Sequence, residues 1–342
     1  MTKVLLAGTF GPGRLEQSYH SAFLDIGCEV YTMDIAATID KYCRFGKIGR
    51  YLNAFLSVEP WIRKANRDLV IATKRFRPDL LVVFGQSYVR AGALAQIGAC
   101  TKTKTSLIWP DTLVNLADET IAALPLYDFV ASYGRETLVP FLRLGARRVE
   151  WVPLAGDHHL HLIDELSEAD RHEYGADISF VGGWRPEREA ALEKVLARFP
   201  DKKVKVWGPE WDRRCHENES LVKVWQGGPL YGKDFAKVLA ASCVSLNIID
   251  DTNYPAANMR FFEIPMAGGV QVCSSCPEME DEFKHAQTIF YYHSLDEMVD
   301  ILRLVLSNDS ARHKVADRAH RLVMSRHTYS HRAQKIIEQM NL

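Results

Sequence analysis

Glu263 stands alone among mostly apolar neighbours in N-M-R-F-F-E-I-P-M-A-G-G-V, residues 258–270, with Arg260 three positions before it and Gly268-Gly269 just after. A carboxylate is expensive to bury unless something pairs with it or hydrogen-bonds to it. Two uses fit this spacing. As part of a short helix start facing a cleft, Glu263 could accept two hydrogen bonds from vicinal hydroxyls, as an acid does with a nucleotide ribose. Alternatively, Arg260 and Glu263 at i, i+3 could simply pair with each other.

A second cluster lies near residue 178. Ile178–Val181 reads as a strand, Gly182-Gly183 as a turn and residues 187–199 as a helix. The glycines would let backbone approach a phosphate, and the helix N-terminus would favour its charge. The guanidinium forks of Arg185 and Arg188 suit phosphate oxygens. A plain strand-to-helix turn with exposed arginines is the alternative.

The first loop, G-T-F-G-P-G at 8–13, is not G-x-G-x-x-G, and Asp34 is only near the end of the second strand, so a nicotinamide dehydrogenase fits poorly. Gly11 and Gly13 could instead approach a sugar or an acceptor. For a general base the first candidate is Asp111, in W-P-D at a strand end, and the second is His20. Cys273 and Cys276 have C-x-x-C spacing without a second Cys or His pair, so two small loop residues explain them as well as metal or redox use does.

The elements that would position these residues alternate between strand and helix, which argues for parallel sheets covered by helices. Strands are expected at 4–7, 29–33, 79–84, 106–109 and 129–132, then at 149–152, 178–181, 203–207, 244–248 and 270–273. Two similar strand–glycine–helix openings suggest two Rossmann-like domains. The polar stretch after Pro153 is the expected boundary. From about Asp309 the chain is helical in pattern, broken around His327–Ser330, and could return to the first domain. The expected domains are 1–155 and 156–325, with 326–342 packing back on the first.

Size and composition agree with a globular protein of two domains: 342 residues, 47% hydrophobic and 25% charged. A formal net charge of −1 gives no global attraction to nucleic acid, which is not an expected partner, or to membranes. The N-terminal apolar run is too short for a signal peptide, and seven scattered cysteines suggest reduced thiols, so a cytoplasmic location is expected.

The chain resembles GT-B glycosyltransferases, in particular the CgeB-like group related to spore-maturation proteins. The matching pieces are F-V-G-G-W-R-P-E-R at 180–188, V-K-V-W-G-P-E-W at 204–211 and S-L-N-I at 245–248. They continue with M-R-F-F-E-I-P-M-A-G-G-V at 259–270, P-E-M-E-D-E-F at 277–283 and R-H-T-Y-S-H-R at 326–332. The N-terminal half matches only through its first loop and V-P-L-A-G-D at 152–157. The resemblance implies an α/β protein of GT-B fold, two Rossmann-like domains facing a cleft, with a C-terminal helix crossing back.

It also implies that the second domain binds a nucleotide-diphosphate sugar, of UDP or GDP type, as substrate, with no cofactor. Glu263 corresponds to the acid that holds the ribose, and Arg185 and Arg188 to diphosphate ligands, with Arg260 a further candidate. Gly268 and Gly269 correspond to backbone near the diphosphate and sugar. Trp207-Gly208 and Trp225-Gln226-Gly227 lie where the base is usually held, largely by backbone. Many retaining relatives carry a second acid eight residues before the ribose acid; here that position is Pro255, with Asp250, Asp251 and Asn258 as substitutes to consider. Retaining and inverting chemistry both stay open. Without a D-x-D signature, transfer is expected to be metal-independent.

Residues 40–79 hold ten Lys or Arg (41, 44, 47, 50, 63, 64, 67, 74, 75, 77) against four acids, interleaved with Tyr42, Phe45, Tyr51, Phe55, Trp61 and Phe76. Such a region can rest on an anionic bilayer, peripheral to its inner face, beside a lipid-linked acceptor. It could equally be a solvated helical face or a groove for an anionic polymer. A non-hydrolysing sugar-nucleotide epimerase, or a nucleotide-sugar-binding protein without catalysis, shares the architecture; the acceptor is not specified by residue types.

Overall fold

The computed structural model describes residues 1–43, 45–51 and 57–342, which divide into two compact units. Unit 1 is Met1–Pro153 together with Tyr329–Leu342, and unit 2 is Leu154–Thr328.

Unit 1 is built on a parallel sheet of six strands: β1 (Lys3–Gly8), β2 (Glu29–Asp34), β3 (Leu80–Phe84), β4 (Lys104–Trp109), β5 (Phe129–Ser132) and β6 (Val149–Trp151). Their order is β2-β1-β3-β4-β5-β6. Every residue of β3 and β5 is buried, as expected where helices cover both faces of a parallel sheet. Each such Val, Leu or Phe contributes roughly 1.5–3 kcal/mol on burial. Helix Glu59–Phe76 stops where Arg77 adopts a left-handed conformation before Pro78.

The last helix, Tyr329–Gln339, packs against helix Leu15–Asp25, with the Tyr19 and Tyr329 rings edge to face at 5.2 Å. Ser330 Oγ donates to Asp25 at 2.8 Å, and Arg332 Nε to the Pro153 carbonyl at 2.8 Å. With Ala333, Ile336 and Ile337 buried, these bonds make the C-terminal helix part of unit 1.

Unit 2 has a parallel sheet of five strands: β7 (Ile178–Val181), β8 (Val204–Trp207), β9 (Val244–Asn247), β10 (Gln271–Ser274) and β11 (Phe290–Tyr292). The order is β11-β10-β9-β7-β8, so the chain reverses its direction of travel across the sheet between β7 and β9. Strand β11 was not expected from the sequence; three residues are too few to show a period. The Gly156 N–H bonds to the His327 carbonyl at 2.8 Å, and a Cβ there would lie 3.1 Å from Met266 Cβ and from Val323 Cγ1, so the packing around this backbone is tight.

Candidate functional site

In parallel α/β sheets, ligands bind beyond the carboxyl ends of the strands, where the strand order reverses. In unit 2 that point lies between β7 and β9. The loops leaving those strands are 182–185 and 248–259, and helix Arg260–Met266 follows the second.

A buried amide network fixes the start of this helix. The Asn247 and Asn258 side chains exchange two hydrogen bonds, at 3.1 and 2.8 Å, and Asn247 also donates to Gln271 at 2.9 Å. Asn258 Oδ1 accepts from the Phe261 N–H at 3.1 Å, and Gln271 returns a bond to the Phe261 carbonyl at 3.1 Å. Asn258, considered as a substitute for the missing acid, is therefore committed to holding the helix. The helix is core: Phe261 through Met266 are all buried.

Arg260 and Glu263 are set by this framework. Arg260 donates from Nε to the Val181 carbonyl at 3.1 Å and from Nη1 to Glu263 Oε2 at 3.0 Å, and its guanidinium lies 4.9 Å from the Phe235 ring centre. The i, i+3 pair thus forms, but it uses one carboxylate oxygen. The other, Oε1, faces His161 Nε2 at 3.9 Å. His161 is buried and stacks edge-on against Phe235 at 5.4 Å. Burial holds its imidazole below the ordinary histidine value, although Glu263 and Asp157 pull the other way. Desolvation wins, so near neutral pH His161 is an uncharged neighbour of Glu263 rather than its ion-pair partner.

His161 went unnoticed in the sequence, inside a stretch read as a polar linker. Asp157 explains its placement: Oδ1 accepts from the His159 and Leu160 N–H groups at 2.9 and 3.1 Å and caps the short helix His158–His161. Among the described residues, Asp157 Oδ2 and His161 Nδ1 are buried atoms without a hydrogen-bond partner.

The two arginines after β7 divide. Arg188 is a bracket: Nη1 donates to the Gly183 carbonyl at 2.9 Å, Nη2 to Asp250 at 3.0 Å, and Nε reaches the Ile248 carbonyl at 3.4 Å. This corrects the diphosphate role expected for Arg188, since the fork ties the β7 loop to the β9 loop. Burial pushes Asp250 up, but hydrogen bonds from Thr252 and Asn253 and the Arg188 charge outweigh it, leaving its carboxyl below the ordinary range. Asp250 is thus the anchor of its own loop, and Asp251 is exposed on that loop. Arg185 is exposed just before helix Pro186–Arg198 and, among the described residues, has no ion-pair partner. The Gly183 N–H likewise has no intramolecular bond among the described residues.

Around β8 the backbone is crowded. A Cβ on Gly208 would lie 2.0 Å from the Gly182 carbonyl oxygen, and its φ is 142°. Gly208 N–H bonds to the Gly227 carbonyl at 3.0 Å, and Gln226 N–H to the Val206 carbonyl at 2.8 Å. Trp207 is buried in the core, while the Gln226 side chain is exposed. Gly182 N–H bonds to the Trp207 carbonyl at 2.9 Å.

Gly268 and Gly269 precede β10, at the amino-terminal edge of the sheet, opposite the loops just described. A Cβ on Gly269 would lie 2.8 Å from the Leu239 carbonyl oxygen. These glycines therefore serve a helix-to-strand turn and close internal packing, which corrects their expected place near a diphosphate. The loop at the carboxyl end of β10 is Ser275-Cys276, held by Glu280 through Ser275 Oγ at 2.8 Å and the Cys276 N–H at 3.1 Å.

In unit 1, the first loop is held by carboxylates. Glu16 accepts from the Thr9 N–H at 3.0 Å and Asp34 from the Phe10 N–H at 3.2 Å. Burial raises the Glu16 carboxyl above its ordinary range, with the Thr9 bond opposing. Two N–H groups that could face an anion are thus spent. Gly13 supplies a positive φ of 69°, and the Gly11 carbonyl closes the turn by accepting from the Arg14 N–H at 3.2 Å.

Asp111 accepts from Gln86 at 3.0 Å, Asn115 at 2.9 Å and the Thr112 N–H at 2.8 Å. Three of about four carboxylate lone-pair sites are filled, which suits a loop organiser better than a proton acceptor. Its partner Gln86 has a φ of 63° and Tyr88 of 59°, so the loop after β3 carries two strained non-glycine residues. His20 sits half-buried in the middle of helix Leu15–Asp25.

Residues 185–338 match the family model described as "Glycosyl transferase-like". The chain is similar over all of its length to a sucrose-phosphate synthase from Thermosynechococcus elongatus, with a TM-score of 0.69, 11% identity and 98% of that chain covered. The fold is GT-B. A glycosyltransferase from Rickettsia africae gives a TM-score of 0.70 at 11% identity, covering 99% of this chain and 97% of that one. Anabaena HepE, solved in complex with UDP and glucose, gives 0.66 at 14% identity with both chains fully covered. No curated protein sequence matches. Among the described residues, no helix is long and apolar enough to cross a membrane.

Proposed function

We propose that this GT-B protein is a glycosyltransferase that moves a sugar from a nucleotide diphosphate, of UDP type, to an acceptor. One observation carries the reading. The switch point of unit 2 carries a fixed, buried carboxylate on the helix after β9, and on the loop after β7 an exposed guanidinium and a backbone N–H that has no internal partner among the described residues. Glu263, oriented by Arg260 and backed by His161, would accept from the ribose hydroxyls. Arg185 and the Gly183 N–H would meet the diphosphate and stabilise the charge that develops on it as the glycosidic bond breaks. Neither role calls for a metal. The binding of UDP and glucose by HepE supports a UDP-type donor. The order of motifs between 180 and 332 supports the CgeB-like group as the nearer relatives.

Thermal-shift measurement against UDP, GDP, ADP and their sugars tests the donor. A ligand at about 100 times its dissociation constant stabilises the fold by roughly 2.7 kcal/mol. Product analysis on the bound donor, incubated with a panel of candidate acceptors, then separates chemistries: a new glycoside supports transfer, whereas an epimerised sugar refutes it. Arg185→Ala weakens UDP without affecting uridine; equal loss of both would remove Arg185 from the diphosphate.

A further inference from the structure

Helix Glu59–Phe76 buries Ile62, Ala65, Leu69 and Val70 against unit 1 and turns Arg63, Lys64, Arg67, Ile71, Lys74 and Arg75 to solvent. Its two acids are half-buried and engaged. Glu59 holds Arg90 at 2.9 Å and Arg63 at 3.4 Å, and Asp68 accepts from the Tyr42 hydroxyl. Every exposed charge on the helix is therefore positive.

Lys64 lies over the Tyr42 ring at 3.9 Å, which links this stripe to the next segment. There Phe45, and Ile48 and Tyr51 of helix Gly46–Tyr51, are 58%, 70% and 89% exposed, with Lys41 and Lys47 exposed beside them. Trp61 and Phe76 pack on the core instead, so they drop out of the aromatic set read from the sequence. Arg44 and Phe55 lie outside the described residues.

We propose that this face of unit 1 docks on an anionic lipid bilayer. Side chains such as Ile48 and Tyr51 gain by leaving water at the headgroup boundary, and lysines and arginines around them meet lipid phosphates. A formal net charge of −1 gives the chain no general attraction to anions, so this cationic face supplies it locally. The proposal does not depend on sugar transfer, and its test uses neither donor nor acceptor.

The full chain is pelleted with vesicles of phosphatidylcholine alone, or of phosphatidylcholine with phosphatidylglycerol, at low and high salt. Binding is expected only with phosphatidylglycerol and only at low salt. Each basic residue near such a surface is worth about fivefold in partitioning, so Arg67→Glu/Lys74→Glu/Arg75→Glu lowers it at least about a hundredfold. Ile48→Ser/Tyr51→Ser also lowers it, while both variants keep the wild-type urea midpoint. Absence of wild-type binding, equal binding by the charge-reversed variant, or equal binding to phosphatidylcholine alone overturns the proposal. So does tighter binding to a single-stranded oligonucleotide, which would make the face a nucleic-acid surface.

Discussion

Replacing Arg188 by methionine removes the bracket between the β7 and β9 loops and strands the Asp250 carboxylate. The pair is well shielded, with side chains 14% and 9% exposed and an N–O distance of 3.0 Å. Removing one partner of a buried pair costs about 3–5 kcal/mol, because the other charge stays behind. Asp250 keeps donors from Thr252 and from the main-chain and side-chain nitrogens of Asn253, which places the loss near the low end, about 3 kcal/mol. At a urea slope of about 3 kcal/mol/M, the midpoint followed by tryptophan fluorescence falls by about 1 M. In Arg188→Met/Asp250→Asn no charge is stranded and Asn can still accept the loop's bonds, so about 1–2 kcal/mol returns. If Arg188→Met unfolds at the wild-type midpoint and loses only nucleotide binding, Arg188 is a phosphate ligand and the bracket reasoning fails. Simple additivity in the double variant would refute the charge argument separately.

Glu263→Gln lowers UDP affinity about tenfold to a hundredfold, the worth of about one charged hydrogen bond; 2′,3′-dideoxy-UDP should be indifferent to the change by calorimetry. Gly208→Ala forces a methyl onto the Gly182 carbonyl at a φ of 142°, so loss of soluble protein or a large drop in melting temperature is expected. Glu16→Gln is expected to stabilise at neutral pH. The folded Glu16 carboxyl titrates above its ordinary value of 4.5 because of burial, so its contribution is complete below that value and lost as pH rises through the folded one. The advantage of Gln over Glu therefore grows with pH above about 4.5 in urea titrations, and a pH-independent difference would refute it.

Local pattern was enough for the alternation of elements. Apolar runs such as Leu80–Phe84, glycine stops and a proline after helix Glu59–Phe76 act over a few residues, so the order of strands and helices was legible in the sequence. The Arg260–Glu263 pair was legible for the same reason, because i, i+3 spacing puts both side chains on one helical face. The three-residue strand β11 and the short helices Trp211–Arg214 and Glu219–Val224 were not, since they are too short to show a period.

What each candidate faces was decided by strand order. Only with β9 beside β7 do Asp250 and the Ile248 carbonyl meet Arg188, converting an expected anion ligand into a bracket and leaving Arg185 exposed. Only the direction of β10 puts Gly268 and Gly269 at the far edge of the sheet. His161 reaches Glu263 across a separation of about a hundred residues that carries no periodic signal. Residue types along the chain determine which groups are available for chemistry; the sheet's long-range pairing determines which of them are already used by the protein itself.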